Sequence, residues 1–245
     1  MHSKYNEVLL AFIVSTLCSF VISGCNDNSG GGGGGACPKT NESIAVCDPE
    51  TGGPFSIIID NGFFPVVVGS ESVLEGVDDE GVMVRIESSV LDETEDIAGV
   101  TTRVVMEQTF EDDELVEDTL DYYAQAPDGT VCYFGEDVDI VENGEIVSHE
   151  GTWRAGENGN LPGIIMPANP EVGMVFNQEL APDVAEDISK ITALGETIDV
   201  PLGMFSDTVS AEDCNPFDGI KDRKVYVDGI GLSIDEAAEL VEFNP

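Results

Sequence analysis

The sequence predicts an all-β protein made of one antiparallel meander that closes into a barrel or a strongly curled sheet. Two observations lead to this prediction. Apolar residues recur at every second position in one segment after another, which is typical of strands with one buried face. Pairs that favour two-residue hairpin turns lie between such segments, namely Asp128-Gly129 and Asn143-Gly144. The clearest alternating runs span residues 82–87, 100–110, 115–126, 130–141, 145–154, 172–180, 198–202 and 223–234.

These runs follow one another with a single continuous pattern, so residues 54–245 are expected to form one domain. One stretch departs from the period of two. In residues 183–194 the apolar side chains Val184, Ile188, Ile191 and Leu194 fit a helical period, which predicts one helix covering the sheet.

The amino terminus carries an export signal. Lys4 precedes a largely apolar stretch, residues 8–22, which is shorter than the roughly 20 residues of a membrane-spanning helix. The stretch ends in Ile-Ser-Gly-Cys25, which resembles the lipobox of bacterial lipoproteins. That resemblance implies removal of residues 1–24, acylation of Cys25 and attachment to a lipid bilayer. Asn26 in the next position favours the outer membrane of a Gram-negative envelope.

Residues 25–36 contain six consecutive glycines and no side chain able to pack, so they are predicted to be a flexible tether. Residues 37–53 follow as a disulfide-stapled segment. Four cysteines remain after the signal and Cys25 are set aside, enough for two disulfides in an exported protein. Three pairings are open, and sequence distance favours Cys37 with Cys47 and Cys132 with Cys214.

The formal net charge is −40 at pH 7, and it stays so after the signal is removed because residues 1–24 carry one Lys and one Glu. A surface of this sign excludes nucleic acid as a partner. It also indicates a saline or cation-rich exterior, because dissolved ions screen the repulsion between the negative charges of the protein. Weak calcium binding is the only metal chemistry expected, with candidates Asp112, Asp113 and Glu114. No other cofactor is predicted.

Catalysis has less support. His149 is the only histidine after the signal, and no GxSxG motif accompanies it, which disfavours a serine hydrolase. A carbohydrate-active enzyme or lectin-like domain would use paired carboxylates beside aromatic rings. The candidates are the acids Asp121, Glu136, Glu150 and Glu179 and the aromatics Tyr123, Tyr133 and Trp153.

A proline-rich segment, residues 158–170, interrupts the strand pattern and contains Ile164, Ile165 and Met166. Two interpretations are open. It is an exposed loop that binds a partner such as an envelope protein, or it is a crossover whose apolar side chains plug the barrel.

Three segments, YYAQAPDGTVCYFGED, EGTWRAGENGNLPGIIMPANPEVGMVFNQE and VYVDGIGLSIDE, resemble a group of uncharacterised bacterial exported lipoproteins. Its members carry stretches similar to DWYAQD, GNVWYFGE, GSWEAG and PGIIMPA. Tyr122 and Cys132 stand where that pattern has tryptophan, and Arg154 stands where it has an acid. Cys132 in place of an aromatic fits a disulfide to Cys214. The closing strands also resemble lipocalin-like and lipoprotein-carrier-like sheets.

The sequence therefore predicts a lipid-anchored envelope protein that acts as a binding or structural module and not as an enzyme. A binding module of this kind would hold a small apolar ligand in an apolar interior. The alternatives are the carbohydrate-active or lectin-like domain and a calcium-binding surface protein.

Overall fold

The computed structural model describes residues 36–245. The predicted signal, Cys25 and the tether up to residue 35 lie outside the described residues. Among residues 36–245 a 3₁₀ turn, Ile44–Cys47, precedes seventeen strands. The strands are β1 Glu71–Val77, β2 Met83–Ile97, β3 Val100–Glu111, β4 Glu114–Gln125, β5 Val131–Glu142, β6 Glu145–Ser148, β7 Trp153–Arg154, β8 Leu161–Met166, β9 Val175–Asn177, β10 Glu179–Leu180, β11 Ile188–Leu194, β12 Ile198–Val200, β13 Gly203–Phe205, β14 Thr208–Cys214, β15 Lys221–Val227, β16 Gly231–Asp235 and β17 Ala238–Asn244.

Fifteen of these strands form one antiparallel sheet in the order β10-β8-β5-β4-β3-β2-β1-β17-β16-β15-β14-β11-β9, with β6 and β7 also paired to β5. The two ends of this order, β9 and β10, are separated in sequence only by Gln178. The sheet therefore curls round until its ends meet, as a nearly closed barrel. The predicted all-β antiparallel fold is confirmed.

Both predicted hairpins form, but only the second has the predicted two-residue turn. Asp128-Gly129 lies in the turn between β4 and β5, and Asn143-Gly144 joins β5 to β6. Asn143 and Gly144 both have positive φ, 53° and 78°, the conformation that a two-residue turn between twisted strands needs.

The predicted helix at residues 183–194 is wrong, because residues 188–194 form β11, which pairs with β14 on one side and β9 on the other. The helix-like spacing of Ile191 and Leu194 has a local cause. The pairing register shifts between Ile191 and Ala193, so a bulge adds one residue to the regular alternation.

Residues 37–53 form a strap across the seam where the two ends of the sheet meet. The backbone N–H groups of Asn41 and Glu42 donate to the Val175 carbonyl at 2.8 and 3.0 Å, and the Val175 N–H donates to Asn41 Oδ1 at 2.8 Å. The strap thus occupies the free edge of β9, which would otherwise present unpaired backbone groups.

Two disulfides fix the strap, and their pairing corrects the sequence-based expectation. Cys37 is bonded to Cys214 at the end of β14, and Cys47 is bonded to Cys132 in β5. The expected pairs Cys37 with Cys47 and Cys132 with Cys214 do not form. The reason is that the strap does not fold back on itself but runs from one side of the seam to the other.

Residues 55–70 cross one end of the barrel. Ser56 pairs with Gln125 at the end of β4, and the Gly229 N–H donates to the Gly62 carbonyl at 2.7 Å. Between these attachments Phe64 packs against Tyr123 and Tyr226, with ring centroids 5.1 and 6.3 Å away. This segment closes that end of the interior.

The apolar core is divided into two clusters. The larger one surrounds the strap and the β4–β5 hairpin and includes Phe134 and Trp153. The smaller one joins Leu74, Ile86 and Leu240 of the sheet to the separate β12–β13 hairpin. Residues 36–245 contain no helix long and apolar enough to cross a lipid bilayer.

Candidate functional site

A cavity of about 270 Å³ lies inside the curled sheet, with side chains from strands on both sides of the seam in its wall. Phe64 and Val66 of the crossing segment contribute to one side of the wall, and the exposed residues Glu71, Asp218 and Ile220 to another. The cavity therefore reaches the protein surface. Its volume is close to the lower limit for small-molecule sites in proteins.

The wall is acidic, and seven of its acids form two groups. The first group belongs to the β3–β5 region of the sheet and consists of Glu107, Glu117, Asp121 and Glu136. Their closeness follows from the strand register. Glu107 lies opposite Thr119, so Glu117 and Asp121 are its diagonal neighbours, and Asp121 lies directly opposite Glu136.

A bulge in β5 brings Tyr133 and Glu136 to the same face. Residues three apart on a regular strand point to opposite faces. Here Tyr122 pairs with Gly135 and Tyr123 pairs with Tyr133, so one residue is inserted and both Tyr133 and Glu136 line the cavity. Gly135 has φ 142°, and a Cβ at this position would collide with the backbone of Trp153. A glycine is required here to shape the site.

Aromatic side chains hold the first acid group in place. The Tyr133 hydroxyl donates to Asp121 Oδ1 at 2.5 Å, and Trp153 Nε1 donates to Glu136 Oε1 at 3.2 Å. The Tyr133 ring stacks on the Tyr123 ring, with 4.8 Å between the ring centroids, and meets the Trp153 ring edge-on, with 5.4 Å between the centroids. These contacts fix the two carboxyl groups on a rigid aromatic base.

The second acid group consists of Glu179, Asp187 and Asp213, from the stretch of chain that includes β10 and β14. Gln178 Nε2 donates to Asp213 Oδ2 at 3.2 Å. The one basic residue among those lining the cavity is Lys224, whose Nζ lies 2.7 Å from both oxygens of Asp235. Lys224 thus forms an ion pair with Asp235, which belongs to neither acid group.

Three of the cavity acids bury a carboxyl oxygen without a hydrogen-bond partner among the described residues. These oxygens are Glu117 Oε2, Glu179 Oε2 and Asp213 Oδ1. Glu179 is 3% exposed and Asp213 is 5% exposed. Burying a carboxyl oxygen without a hydrogen-bond donor costs free energy, so these oxygens are available to accept a hydrogen bond.

Burial raises the pKa of the cavity acids. It brings the pKa of Glu107 to about 8 and that of Glu117 and Asp121 to about 7, and neighbouring acids add to the effect. The pKa of Asp213 rises to about 6, with the positive charge of Lys224 opposing the increase. Burial also raises the pKa of Glu136 and Glu179 well above their ordinary value. The four acids whose pKa rises to between about 6 and about 8 exchange protons near neutral pH.

The structure brings together most of the residues that the sequence suggests for a carbohydrate-active or lectin-like site. Asp121, Glu136 and Glu179 line the cavity together with Tyr123 and Tyr133, and Trp153 bonds to Glu136. Glu150 does not join them, because it lies exposed after β6. His149 is paired with Asp139 at 2.6 Å, with both side chains substantially exposed.

Of the seven acids in the two groups, the sequence does not point to Glu107, Glu117, Asp187 or Asp213 as members of this site. In β3 the alternation predicts that the polar side faces solvent, whereas Glu107 and Thr109 face the cavity. In β4 the sequence places Glu117, Thr119, Asp121 and Tyr123 on one face, so that two acids and an aromatic ring share one side of the strand.

Ile164, Ile165 and Met166 belong to strand β8 and not to an exposed loop. Ile164 and Met166 are buried, while Ile165 lines the cavity. β8 pairs with β5 and β10, and a Cβ on Gly163 would collide with the Gln178 backbone, which explains how this proline-containing segment packs as a strand.

The calcium candidates lie at a hairpin turn. Asp112 and Asp113 form the turn between β3 and β4, with φ 48° and 68°, and Glu114 begins β4. Among residues 36–245 no group of three or more His, Cys, Asp or Glu side chains is arranged to hold a metal ion.

The residues that depart from the lipoprotein pattern lie outside the cavity wall. Arg154 donates to Asp137 through Nε and Nη2 at 3.0 and 2.6 Å, to Glu95 at 2.8 Å and to the Tyr122 hydroxyl at 3.3 Å. Tyr122 and Arg154 are therefore partners in one polar network. Cys132, the third departure, forms the disulfide with Cys47.

Two solved structures are similar to this chain. One is a proposed exported protein with a YmcC-like fold from Bacteroides fragilis, 14% identical, with a TM-score of 0.42. The other is a proposed lipoprotein from Parabacteroides distasonis, 14% identical, with a TM-score of 0.37. Each comparison covers 75% of this chain and 99% of the other. No protein-family model and no curated protein sequence matches this chain.

Proposed function

We propose that this protein is a lipid-anchored binding protein of the bacterial envelope, and that its barrel holds a small polar ligand. The cavity inside the sheet is the observation that carries the proposal. A purely structural module would fill its interior with side chains, whereas this interior keeps a space that reaches the surface. The expectation of a small apolar ligand assumed an apolar interior. The acidic wall favours a polar ligand instead.

The ligand-binding proposal is tested by thermal unfolding of the full-length protein, purified in a neutral detergent, against a panel of small amines, sugars, amino acids and calcium chloride. At least one compound should raise the melting temperature by about 5 °C or more, because ligand at 100 times its Kd adds about 2.7 kcal/mol. The same compounds should leave the variant Ser88→Trp unaffected, since Ser88 lines the cavity opposite Glu107.

The neighbouring variant Ser89→Trp is the matched control. Successive residues of a strand point to opposite faces, and Ser89 does not line the cavity, whereas its neighbour Ser88 does. Its response to the panel should equal that of the unchanged protein. Equal responses of Ser88→Trp and Ser89→Trp, or no response to any compound, would contradict a binding role for the cavity.

A carbohydrate-active or lectin-like function is the second candidate, favoured by one observation. Asp121 and Glu136 face each other across β4 and β5 on an aromatic base, as a pair of carboxyl groups that a glycosidase would need. The sugars of the panel test this candidate. Mass spectrometry of the mixtures separates hydrolysis, which yields shorter sugars, from binding alone.

The lipid anchor is a separate element of the proposal and rests on the sequence around Cys25. Metabolic labelling with palmitate should mark the protein, and Cys25→Ala should abolish the label and release the protein from membranes. Cys18→Ala is the matched control, because Cys18 would leave with the signal. Label that persists in Cys25→Ala would contradict the anchor. We place the protein in the outer membrane on the strength of Asn26.

A further inference from the structure

The acids of the cavity wall are not matched by basic groups of the protein. The two acid groups described above contribute seven carboxyl groups to the wall, and Lys224 is already bound to Asp235. Carboxylates so close together repel one another, and the repulsion is strong where water is scarce. A positively charged ligand would remove it.

The unpartnered oxygens indicate that this ligand donates hydrogen bonds. Glu179, at 3% exposure, buries Oε2 without a partner in the described residues, and Asp213, at 5%, does the same with Oδ1. Both line the cavity. An ammonium group carries several N–H donors together with the positive charge, and its hydrogen bonds to carboxylates are among the stronger ones in proteins.

The aromatic residues of the wall suit an organic cation. Tyr123, Tyr133 and Tyr226 line the cavity beside the acids. Aromatic faces attract ammonium groups and also pack against the methylene groups attached to them. Metal ions are a poorer fit, because no group of three ligating side chains in residues 36–245 is arranged to hold one.

We infer that the cavity binds a small organic cation, an amine or diamine whose ammonium group contacts Glu179 and Asp213 and whose carbon chain lies against the tyrosines. This inference rests on the proposed binding function and names the class of ligand.

Isothermal titration calorimetry on the full-length protein in neutral detergent provides the test. The probes are 1,4-diaminobutane, its uncharged analogue 1,4-butanediol, and calcium chloride. The diamine should bind at least tenfold more tightly than either of the others. The diol has the same length and differs mainly in charge, so the comparison isolates the contribution of the ammonium groups.

Two variants locate the site. Glu179→Gln should weaken diamine binding at least tenfold, because it removes the carboxyl group that the ammonium group would ionise and contact, and keeps the shape of the side chain. Glu150→Gln carries the same substitution at an exposed position and should leave binding unchanged. Where Glu179→Gln does not fold, as judged by its melting curve, Asp213→Asn takes its place with the same expected loss.

The outcomes separate this inference from the proposed function. Diol binding as tight as the diamine, or diamine binding unaffected by Glu179→Gln and Asp213→Asn, would overturn the cation inference and leave a binding cavity in place. Failure of every compound in the larger panel would remove both.

Discussion

Raising the pH from about 5 to about 8 is expected to lower the free energy of unfolding, the opposite of the trend produced by ordinary surface carboxylates. Burial raises the pKa of Glu107 to about 8 and that of Asp121 to about 7 in the folded protein. The unfolded chain has the ordinary values, near 4. The folded state therefore binds more protons throughout this window, and stability falls as those protons are lost.

The sign of the effect follows from the raised pKa. The stabilising contribution of these groups is complete below the unfolded pKa, near 4, and is lost as the pH passes through the folded values of about 6 to 8. We expect a decrease of at least about 2 kcal/mol, given about 1.4 kcal/mol for each unit of pKa shift. Urea unfolding at a series of pH values, at constant ionic strength, measures it.

A neutral variant assigns the effect to the cavity. Glu107→Gln removes one of the groups and should flatten the dependence on pH, with its largest gain in stability near pH 8. Glu150→Gln is the matched control and should keep the original slope, because Glu150 is exposed. Stability that increases steadily from pH 5 to pH 8 would show that the cavity acids are ionised in the folded protein.

Loss of the Cys47–Cys132 disulfide is the second large effect that we expect. The bond joins residues separated by 85 positions, and loop entropy predicts a stabilisation of about 4.5 kcal/mol. The double variant Cys47→Ser with Cys132→Ser avoids a free thiol, and guanidinium unfolding should show a loss of several kcal/mol. Cys132 is completely buried, so its replacement also places a hydroxyl in the core.

The pairing itself is checked by peptide mapping without reduction. Fragments joined through Cys37 and Cys214, and through Cys47 and Cys132, are expected. A fragment that joins Cys37 to Cys47 would contradict the strap. The variant Cys37→Ser with Cys214→Ser provides a comparison, since it frees the start of the strap and leaves its other end bonded to β5.

The sequence predicts the local features of this fold well. Alternation identifies β2, β3, β4 and β5, and the pairs Asp128-Gly129 and Asn143-Gly144 identify two of their turns, because both depend on neighbouring residues only. The disulfide pairing depends on how the ends of the sheet meet, which no local pattern encodes. Sequence distance therefore favoured the wrong partners for Cys37 and Cys132.

The candidate site was only partly predicted. The sequence points to Asp121, Glu136 and Glu179 together with Tyr123 and Tyr133, but alternation alone predicts that a polar face of a strand is exposed to solvent. In a curled sheet the polar side of β3 and β4 can also point inward, and only the closure of the sheet decides this. The bulge at Gly135, which turns Glu136 toward Asp121, is likewise visible only in three dimensions.

The strap also determines how the protein carries mechanical load. A pull on the amino terminus reaches Cys37 first, and from there passes through a covalent bond into β14. The hydrogen bonds between Asn41 and Val175 are shielded from that tension, so the strap cannot be peeled from β9 one bond at a time. With the proposed anchor at Cys25, a force between the membrane and the protein would therefore act on β14 and leave the barrel closed.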